Sequence, residues 1–160
     1  MNFMTIVTNQ TFNKDLQTLK TVIDPHKSIV LDVETNGLDS YNSNQICGVG
    51  VGEPKSNGLL QYYPFRHHQG ENLDPDYLKE LITYLNSLDT FIGYNIKFDL
   101  HFLTSDGLDT TNKKLIDVIV MVRLIEHSDT RDLALTPTGA RHYGEEAVQY
   151  DIDTKKELRT

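Results

Sequence analysis

Two carboxylates two residues apart, Asp32 and Glu34, stand in and just after an otherwise apolar run, Ser28-Ile29-Val30-Leu31-Asp32-Val33. Such a run reads as a buried β-strand, and an acid inside one is costly unless it is paired or bound to a metal. Strand periodicity puts residues i and i+2 on one face. The two acids would therefore project together, ahead of the Asn36-Gly37 turn, into the crevice where α/β sheets bind ligands at the carboxyl ends of their strands. Hard oxygen donors in such a pair suit Mg2+ or Mn2+ far better than zinc. Taken alone, Asp-x-Glu is a common spacing and reads first as two exposed strand-end acids.

The elements that would position this pair alternate between strand and helix. Thr5-Ile6-Val7 reads as a short strand, and Phe12, Leu16, Leu19 and Ile23 recur as one face of a helix stopped by Pro25. After the carboxylate strand come Gln45 to Gly52 and Gly58 to Phe65, joined so tightly that the strands must run antiparallel. Asp74-Pro75 is a helix start, with Asp as N-cap and Pro at the first helical position. Further on, Thr90 to Tyr94 reads as a strand, Lys97 to Leu103 as a helix and Leu115 to Val118 as a last strand. Helices follow from Ile119 to Glu126 and from Pro137 to Tyr143, the latter capped by Gly144. The pattern predicts an α/β fold: a mixed five-stranded sheet, three antiparallel strands and then two parallel, flanked by helices.

Composition narrows the function. The chain has 160 residues, 38% of them apolar and 24% charged, which suits one domain with one core. A single cysteine, Cys47, makes neither an intrachain disulfide nor a zinc cluster, and no run of eighteen apolar residues or signal-peptide pattern occurs. A cytoplasmic protein with no membrane partner is the expectation. Fifteen basic against twenty-three acidic residues give a net charge of −8, which excludes binding nucleic acid mainly through a broad basic surface. Binding through metal ions is not excluded by that charge.

The wider string Asp32-Val33-Glu34-Thr35-Asn36-Gly37-Leu38, with Asn95-Ile96-Lys97-Phe98-Asp99 about sixty residues later, resembles the first two motifs of the DEDD (DnaQ-like) 3′–5′ exonucleases. The likeness is particularly to the proofreading domain of family A DNA polymerases, phage ones especially, and runs from about Thr5 to Gly144. It implies a ribonuclease H-like fold and removal of nucleotides from DNA 3′ ends by two-metal-ion hydrolysis, with Mg2+ or Mn2+ as cofactor. By position, Asp32 would bridge both ions, Glu34 would bind the ion that activates water, and Asp99 would help hold the second. Two ions about 3.5–4 Å apart can activate a water and stabilise the leaving 3′ oxygen. Thr35, Leu38, Asn95 and Phe98 would contact the terminal nucleotide: Thr35 by a hydrogen bond, Leu38 by packing on the base, Asn95 near the scissile phosphate. Lys97, Arg66 and Arg123 are candidates to meet phosphates. The partners implied are a single-stranded DNA 3′ end and a polymerase module, fused or in trans.

The third motif of that family, Tyr-x-x-x-Asp or His-x-x-x-x-Asp on a late helix, does not follow. Tyr143 is succeeded four places on by Ala147 and Tyr150 by Thr154; His127 and Asp132 match the histidine form by count, but where the family has only a connector, so Asp132 reads as a cap. The resemblance thus implies one exonuclease-like domain over 1–160, cut short before its last motif, with a polar, frayed tail over 149–160. Two alternatives remain open: a catalytically incomplete fragment that binds nucleic acid or a polymerase, and a 3′–5′ exoribonuclease. Asp117 reads as a cap or hydrogen-bonding support, His67-His68 as loop residues, and the Gly48, Gly50, Gly52 alternation as an aid to close strand packing.

Overall fold

Phe12, Leu16, Leu19 and Ile23 are all buried, on one face of α1 (Phe12–Ile23), as their spacing predicts. The computed structural model describes residues 4–41, 44–55, 58–126, 132–146 and 148–149. Within it the chain forms two compact units, Met1–Asp117 and Val118–Thr160.

The first unit is built on one sheet. Its strands are β1 (Thr5–Ile6), β2 (Ser28–Thr35), β3 (Ile46–Gly52), β4 (Leu60–Pro64), β5 (Thr90–Gly93) and β6 (Lys114–Asp117), in the order β1-β4-β3-β2-β5-β6. β2, β3 and β4 pair antiparallel and β5 and β6 join β2 in parallel, as expected. The sheet has six strands where five were expected. The extra one is β1, only two residues long, which adds in parallel to the outer edge of β4 through Thr5 and Ile6.

One sheet face carries the core. Leu31, Val33, Val49, Val51, Tyr63 and Phe91 point into it, and Phe12 of α1 meets Tyr63 edge-on and stacks 3.9 Å from Tyr77 of α2 (Pro75–Asn86). Gln61 is buried beside them and uses both ends of its amide: it donates to the Asp15 carbonyl at 3.0 Å and accepts from the Tyr63 hydroxyl at 2.8 Å. Asp74 caps α2 by accepting from the backbone N–H of Asp76 at 2.9 Å, with Pro75 at the first position. The third helix, α3 (Ile96–Ser105), begins directly beyond the end of β5, and Gly93 lets it do so, because a Cβ there would lie 3.0 Å from Ile96.

The second unit holds α4 (Val118–Glu126) and α5 (Leu135–Tyr143). Glu126 at the end of α4 accepts from Arg141 at 2.9 Å and pairs with His142 at 2.6 Å, tying the two helices together. Gly144 ends α5 at φ 86°, a positive φ that glycine adopts without the steric cost a side chain would carry. Asp132 accepts from the N–H of Ala134 at 3.0 Å, which makes it a turn cap before α5. His127 lies outside the described residues, as does the expected polar tail apart from Gln149. Among the described residues no helix is long and apolar enough to cross a membrane.

Candidate active site

Asp32 and Glu34 stand on the same face of β2, opposite the one that carries Leu31 and Val33 into the core. Register puts two glycines beside them, since Asp32 pairs with Gly50 and Glu34 with Gly48, and Gly50 pairs in turn with Tyr62 of β4. The acids therefore overlook a strand without side chains on that face, bounded on its far side by Tyr62. Asp32 keeps an exposed edge, yet the sheet around it strips water from its carboxyl and pushes its pKa up. Beyond Glu34 the β2–β3 register shifts at a bulge, which turns Thr35 and the following loop away from the regular pleat.

Asp99 comes from α3, sixty-six positions from Val33 in sequence, and meets β2 at that residue. β2 runs past the end of β5, so the Val33 N–H on that side has no strand to pair with; Asp99 Oδ1 accepts it at 2.8 Å. The side chain is buried at 4% exposure, and this burial, with the charges of Asp32 and Asp117 adding to it against the Val33 hydrogen bond, raises its pKa to about 7. Asp117, the last residue of β6, accepts from the N–H of Asn95 at 2.9 Å. That bond steadies Asn95 in a left-handed conformation, φ 61°, costly for a residue with a side chain, and it launches α3 with Asp99 in the first turn.

The other residues expected to contact the nucleotide lie at the end of β2, on the loop after it and at the start of α3. Leu38 stands out of the loop after β2 at 88% exposure, and Asn95 and Lys97 are exposed at the start of α3. Phe98 is half-buried against Phe102. Thr35 donates its hydroxyl to the Gly37 carbonyl at 2.6 Å, which shapes the loop that presents Leu38. Arg66 donates to the Ile46 carbonyl at 2.9 Å, and Arg123 belongs to α4 in the second unit.

Oxygen donors of this kind, with Asp32 and Asp99 desolvated and the charge of Asp32 acting on Asp99, chemically suit a hard divalent cation. Among the described residues, no three His, Cys, Asp or Glu side chains are gathered closely enough to hold a metal ion, so Asp32, Glu34 and Asp99 do not form a ready-made site together. Asp99 is instead engaged with the β2 backbone. Sequence reasoning passed over Tyr62, whose hydroxyl shares a 2.6 Å hydrogen bond with His67 Nε2 beside Glu34; burial first, then the charge of Glu34, keep it a neutral phenol. Its signal was the run of alternate glycines on the neighbouring strand, which clears the way to the acids.

The chain is 26% identical over 120 residues to DNA polymerase I of Synechocystis sp., covering 74% of the chain and 12% of that protein. It is also 26% identical over 145 residues to DNA polymerase DpoZ of Salmonella phage PMBT28, covering 86% and 18%. It therefore spans less than a fifth of either relative. No family model matches it. In fold it is similar to the RNase domain of the yeast Pop2 protein, with a TM-score of 0.59, 13% identity, and coverage of 89% of this chain and 76% of that one. NrnC of Brucella melitensis matches with a TM-score of 0.52 at 17% identity, covering 88% and 58%. This is the fold of the DnaQ-like, DEDD-type exonucleases. A third DEDD-type structure, S. pombe Pop2p with Mg2+ and Mn2+ bound, matches with a TM-score of 0.53 at 11% identity over 86% of this chain and 81% of that one. The family resemblance read from Asp32 to Leu38 and from Asn95 to Asp99 thus stands beside a matching fold.

Proposed function

We propose that the chain is the nuclease part of a 3′–5′ exonuclease, hydrolysing the terminal phosphodiester of a single-stranded DNA 3′ end with two divalent ions, Mg2+ or Mn2+. The observation that carries this reading is the bond from the Val33 N–H to Asp99, which ties the second motif to the backbone between the two acids of the first. Asp32, Glu34 and Asp99 would hold the ions, which supply water activation and charge neutralisation when bound. For Asp99 that means leaving or sharing its bond to Val33 and giving up a proton near neutral pH. Thr35 and Leu38, on the loop after the bulge, and Asn95 and Phe98, at the start of α3, would hold the terminal nucleotide across the crevice from the acids. Lys97 and Arg66 would help to balance the strand's phosphates.

On this reading residues 1–160 belong to one exonuclease-like domain whose third motif is not among them, and the protein works in the cytoplasm of a bacterial or phage-infected cell. Polymerase relatives favour DNA as substrate and a polymerase module as partner, fused or in trans. One fold neighbour is named as an RNase domain, which supports a second reading as an exoribonuclease.

The test is digestion of 5′-labelled single-stranded DNA and of the matching RNA with Mn2+, under enzyme excess. Slow shortening from the 3′ end that Asp32→Ala abolishes is expected, because loss of even a supporting partner of a metal ligand typically costs about 10–100-fold. Faster loss of the RNA would favour the ribonuclease. A chain that binds 3′ ends without cleaving them would point to a non-hydrolytic binding module.

A further inference from the structure

Tyr62 leaves β4 on the same sheet face as Asp32 and Glu34 and leans diagonally over Gly48, the residue paired with Glu34. A Cβ at position 48 would fall on the hydroxyl end of the phenol, so only glycine leaves room for it. The hydroxyl is held in place from behind. It shares a 2.6 Å hydrogen bond with His67 Nε2, and Asn72 fixes the backbone of His67, accepting from its N–H at 2.7 Å and donating to its carbonyl at 2.9 Å. Both carboxylates of β2 are near enough for their charges to act on the phenol, and the side chain is only half-buried.

The loop over 66–72 thus holds a neutral hydroxyl on the sheet face that carries the acids. A phenol has one proton to donate and two lone pairs, of which His67 occupies a single valence, so hydrogen-bonding capacity remains toward the open side. A polyanion entering a site floored by acids gains from an uncharged hydrogen-bonding group there. Such a group meets phosphate or sugar without opposing the cations that neutralise the carboxylates.

We propose that Tyr62 is a substrate-binding residue, its hydroxyl oriented by His67 to contact the sugar-phosphate of the terminal nucleotide. This rests on the nuclease reading of the site. The test measures binding of a nucleoside 5′-monophosphate to the 160-residue chain by calorimetry, with saturating Mn2+ and without it. Tyr62→Phe removes one oxygen and is expected to weaken Mn2+-dependent nucleotide binding about tenfold, the scale of one good hydrogen bond. Affinity for Mn2+ alone should not change, and any fall in the thermal midpoint should be no larger than that of His67→Ala, which breaks the same hydrogen bond. His67→Ala should weaken nucleotide binding in the wild-type background and add nothing in the Tyr62→Phe background, since both act through one hydroxyl. With inorganic phosphate as the probe, an equal loss puts the contact on the phosphate, and a loss seen only with the nucleotide puts it on the sugar.

Wild-type affinity in Tyr62→Phe, together with abolished binding in Asp32→Asn, would overturn this inference and leave the nuclease reading standing. Binding unaffected by Asp32→Asn, or absent from the wild-type chain, would overturn both.

Discussion

Replacing Asp99 by Asn should stabilise the chain at neutral and higher pH while leaving its stability in acid unchanged. Asp99 has its pKa raised from 3.8 to about 7 by burial, so between those values the folded chain keeps a proton that the unfolded chain releases. Stability from this group is complete below about pH 4, falls as pH rises through the window, and is lost above about pH 7. A rise from 3.8 to about 7 corresponds to at most on the order of 4 kcal/mol. That is large against a typical total of about 5–15 kcal/mol. Asparagine is uncharged at every pH and keeps an amide oxygen for the Val33 N–H, so it mimics the protonated carboxyl. Urea unfolding in EDTA from pH 4 to 8.5 should show the two curves together at pH 4 and separated by about 2–4 kcal/mol in favour of Asn at pH 8. Adding Mn2+ should close the gap from the wild-type side only, because the substituted chain has lost a ligand. A difference that stays flat across this pH range would refute the reasoning, since burial would then not hold Asp99 protonated.

Millimolar Mn2+ should raise the thermal midpoint of the wild-type chain, by mass action on a site present only in the folded state, and Asp32→Ala should remove the shift. Gly48→Ala should cost about 1–3 kcal/mol by overpacking against the Tyr62 phenol, and in a Tyr62→Ala background the cost should fall below about 0.5 kcal/mol in denaturant melts. Asn95→Ala should cost about 1 kcal/mol because alanine resists a φ of 61°, whereas Asn95→Gly should be nearly neutral, as chemical denaturation can check. Loss of the Asp117 acceptor in Asp117→Ala should cost a similar amount, about 0.5–1.5 kcal/mol.

The elements that carry their own instructions were legible in the chain. α1 follows from apolar residues at 12, 16, 19 and 23 with Pro25 behind them, and α2 from the Asp74-Pro75 start, because caps and periodicity are local physics. The side-by-side placement of Asp32 and Glu34 follows from the two-residue period of a strand. β1 is different: Thr5-Ile6 reads as a strand, but its place in the sheet does not, because it joins only where the edge of β4 offers unpaired backbone groups to it.

The site depends still more on distant partners. Nothing near Asp99 in sequence says that its carboxyl would be buried or would accept the Val33 N–H. Both follow from β2 outrunning β5 and from α3 starting in the gap, steadied by Asp117. The glycines at 48 and 50 likewise read only as close packing until the register set them between two acids and Tyr62. Local sequence determines which side chains share a strand face or a helix turn. The pairing of strands far apart in the chain determines which of those faces meet, and with that the pKa of Asp99 and the neighbours of Glu34.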